Sequence, residues 1–261
     1  MKARSLLKSM QNPQKIFNHL PHWQARCDLA AAFRWTVREN LHEAVSNHFS
    51  LAVNADGTEF LVNPNQKHFS LVRASDLLLM NAHDPDPLSR PDAPDATAWG
   101  LHSAIHRACP HARCIMHTHS MFATVLATLE NSTLPPIDLN TATFYNRHVV
   151  DTDIEGLAYE SEGERCAKLL SDPKHKVLVL GGHGVLVIGE TVAETFNRLY
   201  FFERAAETYI RALQTGQPLR ILSDKVAENI ASDLDNYPGQ AERFFEDIKI
   251  MLDRDGADYA N

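Results

Sequence analysis

The 261-residue chain carries 33 acidic against 25 basic side chains, a formal charge of −8. That balance excludes a general nucleic-acid binder, which needs basic surface to displace counterions from phosphates. An apolar share of 44% supports a sizeable core and excludes global disorder.

Met1 to Leu20 is polar and lysine-rich with no apolar h-region, which predicts no secretory signal. Asp28 to Leu41 places Leu29, Ala32, Phe33, Thr36, Val37 and Leu41 at helical spacing. Phe49–Val53 and Glu59–Asn63 read as strands, joined by Asn54-Ala-Asp-Gly57, whose residues suit a tight hairpin. Ser75 is expected to cap a short apolar turn over Asp76–Met80. Asp84 to Ala96 holds four of the 13 prolines and reads as an ordered surface loop.

Thr97 to Cys109 returns to helical period, with Trp99, Ile105 and Ala108 as core positions, and Pro110 stops it. Arg113 to His119 reads as a buried strand, and Ser120 is expected to cap a helix over Met121–Leu129. Glu160–Leu170 is a further helix. Val177–Leu180 and Val185–Ile188 read as strands flanking Gly181-Gly182-His183-Gly184. That interrupted run is the longest apolar stretch, and it falls short of the roughly 18–20 residues that cross a bilayer.

Thr191 with Glu194 gives a capping-box pattern for a long helix to about Leu213, with Gly216 past its end. One or two helices follow Ser223, with Phe244, Phe245, Ile248, Met251 and Leu252 as an apolar stripe that either covers its own subunit or meets a neighbour. The order of elements predicts an α/β single domain with a mixed or antiparallel sheet covered by helices. No GxGxxG or GxxxxGK[ST] stretch supports nucleotide binding. The four cysteines, Cys27, Cys109, Cys114 and Cys166, form no CxxC pair and no disulfide framework. A reduced, cytoplasmic protein without membrane attachment is expected.

Fourteen histidines stand out, and five of them, His102, His106, His111, His117 and His119, fall within eighteen residues. In a strand, residues i and i+2 share a face, so His117 and His119 project together. Three imidazoles with an open position make a common catalytic zinc arrangement. Random placement of 14 histidines in 261 positions already gives about 0.7 such HxH patterns, so the pair alone carries little. His102 and His106 share a helix face at i, i+4, but no Glu follows His102 as in HExxH, and His106 reads as a polar residue on a partly exposed face. Cys114 points away from His117. The glycines around His183 let the backbone turn tightly at the end of a buried sheet, which makes His183 a credible third ligand.

The sequence resembles the class II aldolase/adducin head-domain family, in its bacterial adducin-like branch. The matching pieces are LAAAFRWTVRENL, the FSLAV…FLVNP…ASDLLLM stretch, the phrase from Trp99 to Ser120 ending in HTHS, and the later GGHG. The resemblance implies a three-layer α/β/α fold around a mainly antiparallel sheet. It makes residues 1–261 one domain, with a helical extension from about 217. It implies a divalent metal, usually zinc, held by His117, His119 and His183. It also implies a homotetramer with the site near a subunit interface and a small-molecule substrate.

The departures are specific. Family aldolases carry a proton-shuttling Glu where Ala98 stands, so no residue is assigned as catalytic. Their phosphate-binding phrases correspond to Ser46-Asn47-His48, Asn65-Gln66 and Ala96-Thr97, where a turn glycine and a serine are replaced. The candidate substrate-binding residues are His48, Thr97, His102 and Tyr145. The expectation is a metal-dependent lyase or isomerase acting on a small hydroxy-carbonyl compound other than a sugar phosphate. The alternative is a non-enzymatic, adducin-like binding or scaffold protein that keeps the metal site.

Overall fold

The computed structural model describes residues 20–153 and 159–261. The lysine-rich start, Met1 to His19, lies outside the described residues.

Helix α1 (Trp23–Arg38) precedes strands β1 (His48–Ala52) and β2 (Glu59–Val62), which pair antiparallel across the expected hairpin. Two single-turn 3-10 helices lead into β3 (Leu78–Asn81). Then come α2 (Ala96–Ala108), β4 (Cys114–Thr118), α3 (Met121–Ala127), α4 (Leu139–Thr143) and β5 (His148–Asp151). Helix α5 (Tyr159–Leu169), strands β6 (Val177–Leu180) and β7 (Gly184–Gly189), and helices α6 (Val192–Gln214), α7 (Asp224–Asp235) and α8 (Gln240–Arg254) complete the chain.

The seven strands form one sheet in the order β3-β2-β1-β4-β7-β6-β5. Every pairing is antiparallel except β5 with β6. A parallel pair needs a crossover rather than a hairpin, and α5 lies in that connection.

Period-two alternation sends each strand's side chains to two different cores. Cys114, Met116, Val177, Val179, Val185 and Val187 join α1, α3, α6 and α8 on one face. Phe33 stacks on Phe49 there with ring centroids 4.7 Å apart and meets Phe69 edge-on at 4.5 Å. Ile115, Leu178, Leu180, Leu186 and Ile188 pack under α2 and α5 on the other. Phe60, Val62, Leu78 and Met80 continue that second face and meet Trp99 of α2. Helices thus cover both sides of the sheet.

Four local expectations are corrected. The turn placed over Asp76–Met80 is a 3-10 helix at Ala74–Asp76 followed by the edge strand β3, because Leu78 and Met80 alternate into the second core. Ala108 is exposed, as it lies on the outer side of α2 near its end. Ser120 does not cap α3 with its side chain. Glu203 of α6, itself buried, accepts from Phe122 N at 2.8 Å and Ala123 N at 2.9 Å, and Ser120 donates its hydroxyl to the same carboxylate at 2.7 Å. A negative group at a helix N-terminus also suits the helix dipole. Thr191 caps α6 as expected, but Glu194 accepts from Glu190 N rather than closing the box on Thr191.

The final apolar stripe covers its own subunit. Phe245, Ile248 and Leu252 are buried in the first core with α1 and α6, and Phe244 and Met251 pack against its edge.

Candidate metal centre

Strand register decides which histidines meet. His48 of β1 lies opposite His117 of β4, and Ser50 lies opposite Ile115. All four therefore face α2, and helical spacing turns His102 and His106 of α2 back onto them. His119 sits just past the end of β4, and His183 sits in the β6–β7 turn. Gly182 has φ 66°, a left-handed conformation that glycine adopts without strain. At Gly184 a Cβ would lie 2.5 Å from the Thr118 carbonyl oxygen. Only glycine lets β7 approach the end of β4 so closely, and that approach carries His183 to His119.

The outcome is a triangle of imidazoles. Ring centroids of His117, His119 and His183 are 4.7–4.9 Å apart, and one nitrogen from each falls within 4.8 Å of the other two. His117 Nδ1 donates to the Val185 carbonyl at 3.1 Å, and His119 Nδ1 donates to Glu43 Oε2 at 2.7 Å. Those oxygens only accept, so they fix both tautomers with the lone pairs on Nε2. The two Nε2 atoms face each other at 3.0 Å. Two lone pairs at that distance repel unless a cation or proton lies between them.

Burial pushes the His117 pKa well below its ordinary value, and the neighbouring His48 adds to it. Burial likewise takes His183 down to about 4. Both are neutral near pH 7, the form that binds a metal. Glu162 Oε1 stands 4.0 Å from His183 Nδ1.

A second group of histidines lies directly behind. His48 Nδ1 and His102 Nε2 are 2.7 Å apart, His102 Nδ1 and Ser50 Oγ 2.5 Å, and Ser50 Oγ and His106 Nε2 2.8 Å. Every member is buried. Burial holds His48 and His102 well below the ordinary histidine pKa and takes His106 to about 3. The reading of His106 as a partly exposed polar residue is thereby overturned: it is 1% exposed and stacks on Phe60 at 4.7 Å.

A cavity of about 510 Å³ opens in front of the triangle. His48, Thr97, Ala98, His117, His119 and His183 line it. Size does not single it out, since a second cavity, lined in part by Arg147, Arg198 and Tyr237, has about 550 Å³; the convergent imidazoles do. Asp95, outside the helix by sequence, is the side-chain cap of α2 and lines the cavity beside Thr97. Burial alone would raise its pKa, but bonds from the Thr97 hydroxyl and N–H outweigh this and lower it. Tyr145 does not line the cavity; its hydroxyl pairs with Asp224, which raises its pKa.

Sequence reasoning missed Glu43, Ser50, His106 and Glu162. Ser50 was findable, because it stands at i+2 from His48 on the same strand, and His106 at i+4 from His102. Nothing local marks Glu43 or Glu162, which arrive from a loop and from α5.

The fold and this site define a class. The sequence profile described as Class II Aldolase and Adducin N-terminal domain matches residues 27–210, and the chain belongs to that family. Among solved structures it is similar to an aldolase II superfamily protein from Pseudomonas syringae. That match has 26% identity and a TM-score of 0.80, over 98% of this chain and 100% of the other. The L-fuculose 1-phosphate aldolase from Glaciozyma antarctica PI12 has the same fold, with 22% identity and a TM-score of 0.75 over 91% and 92% of the two chains. Among curated relatives, rat alpha-adducin is 30% identical over 190 residues, which span 72% of this chain but 25% of the adducin.

Proposed function

We propose that this chain is a divalent-metal protein of the aldolase type, a lyase or isomerase acting on a small hydroxy-carbonyl compound other than a sugar phosphate. One observation carries the reading: His117 and His119, both tautomers fixed by oxygen acceptors, aim bare Nε2 atoms at each other beside His183 on an open cavity. The donor set fits a metal. Three neutral imidazoles with an open side suit zinc, and outer oxygens that orient the rings are the usual companions of such ligands. His117, His119 and His183 would hold the ion. When bound, it supplies a positive centre that stabilises negative charge developing on a substrate oxygen.

The remaining residues bind and orient. Asp95 and Thr97 fix the mouth of α2 at the cavity. His48 offers its ring to the cavity while Nδ1 is occupied by His102. It is the side chain placed to carry a proton where Ala98, a buried methyl on the cavity wall, has none to give. His102 positions His48. Tyr145 has a role only if an oligomer brings it to a neighbour's cavity, in the homotetramer we propose. We further propose one domain over 1–261, with the helices after about 217 as its C-terminal extension, in a cytoplasmic setting. No helix among the described residues is long and apolar enough to cross a membrane.

Ala98 is the observation behind the second reading, an adducin-like binding or scaffold protein that retains the metal site. The open cavity, with His48 and Asp95 on its wall, supports the enzyme over the scaffold. Elemental analysis of protein purified without chelator should give about one zinc or other divalent ion per chain; no metal, and none restored by dialysis, overturns the metal reading. Turnover in a screen of hydroxy-aldehydes, hydroxy-ketones and hydroxy-acids separates the enzyme from the scaffold.

A further inference from the structure

Four carboxylates, Asp95, Asp151, Asp153 and Glu162, line the cavity, and among the described lining residues there is no lysine or arginine. Arg165 stands behind Asp151. Its Nε donates to both Asp151 oxygens, at 2.8 and 3.1 Å, and its Nη2 to the Asp153 carbonyl at 2.6 Å. That guanidinium is turned to the chain's own groups. A phosphate group would lose water beside like charge and meet no cationic side chain among the described lining residues.

The backbone alternative is closed as well. A helix N-terminus binds anions because its first N–H groups have no partner within the helix, and α2 starts at the cavity wall. There, Asp95 Oδ1 accepts from Thr97 N at 2.9 Å and from Thr97 Oγ1 at 2.5 Å. The chain's own carboxylate occupies the place an external anion would take. Gln66, also on the wall, has φ 54°; a side chain stands where a glycine would leave the backbone open.

The wall instead suits hydroxyl groups. Carboxylates accept from them, and a donor is in reserve. Asn47 lines the cavity and is 3% exposed; its Oδ1 accepts from Glu43 N at 2.7 Å, while its buried Nδ2 has no partner.

We propose that the cavity selects an uncharged polyhydroxylated carbonyl compound, and that Asp95, by holding a negative charge at the N-terminus of α2, is the specificity-determining residue that rejects phosphorylated substrates. This rests on the metal reading above.

The test uses two probes that differ only in a phosphate: glycolohydroxamic acid, uncharged in solution near pH 7 and able to chelate a metal on losing its N–OH proton, and its phosphate ester. Both are titrated calorimetrically into the zinc-reconstituted full chain. The neutral probe should bind at least tenfold more tightly. Asp95→Ser and Asp95→Asn both keep an N-cap acceptor and remove the charge; each should shift the ratio at least tenfold toward the ester. Tighter binding of the ester by the unmodified chain overturns the proposal. So does an unchanged ratio in folded D95S and D95N. If the chain retains zinc and neither probe binds, the metal site is closed to ligands, and the functional reading falls together with this one.

Discussion

Two groups of histidines share one face of the sheet and differ in their surroundings. His117, His119 and His183 sit at strand ends, where Glu43 and a backbone carbonyl take the Nδ1 protons and leave nitrogens facing an open cavity. His48, His102 and His106 form a buried chain behind them: His48 Nδ1 meets His102 Nε2, and Ser50 Oγ joins His102 Nδ1 to His106 Nε2, while His106 Nδ1 has no partner. The residue type is the same, yet the first arrangement turns lone pairs toward the cavity and the second ties four of its six ring nitrogens into one hydrogen-bonded chain. What an imidazole does is set by which atom its other nitrogen meets and by access to solvent.

The largest expected effect breaks the first group. His117→Ala combined with His119→Ala should abolish stoichiometric zinc and the thermal stabilisation that zinc gives, which amounts to about 2.7 kcal/mol at a free concentration 100 times the dissociation constant. Melting curves with and without zinc check this. His106→Asn, in the second group, should keep both the metal and the shift.

The inner group should instead be costly to stability. Ser50→Ala removes the hydroxyl between His102 Nδ1 and His106 Nε2 and leaves two buried polar atoms without partners. At about 1–3 kcal/mol for such a group, urea unfolding should show a loss in that range with metal content unchanged. Glu203→Gln should cost a similar 1–3 kcal/mol, because it weakens charge-assisted bonds at the start of α3. Its effect on zinc stoichiometry at saturating metal should be nil.

The inner group can also be read through pH. His106 is held neutral in the folded state, with a pKa of about 3 against an ordinary 6.5. Between those values the unfolded chain binds the extra proton, so stability rises with pH. The contribution is complete above pH 6.5 and is lost as pH falls from 6.5 toward 3, with a slope of at most about 1.4 kcal/mol per pH unit. Urea midpoints measured from pH 7 down to 4 should fall less steeply for His106→Asn. Equal slopes would remove His106 from the account.

Much of this was legible in the chain. The HxH pair on a buried strand follows from period two, and the Gly-flanked His183 follows from the conformations that only glycine tolerates. The helices were legible because their apolar spacing is local and repeats. Strand β3 was not, because an apolar run of four or five residues reads equally as a turn or a strand until Leu78 and Met80 find Trp99 to pack against. The cap of α3 was misread for the same reason: Ser120 has the preferred chemistry, but Glu203, 83 residues later, brings a stronger acceptor.

By itself the sequence determined the family, the sheet with helices, and the candidate triad His117, His119 and His183, since each rests on short-range pattern and spacing. Only the tertiary structure decided which side chains orient that triad and that the inner histidines join Ser50 in one buried chain. It alone turned Asp95 into the cavity and left the cavity without a cation among its described lining residues. Those facts depend on strand register and on helices docking from distant parts of the chain, and neither is encoded within reach of a local motif.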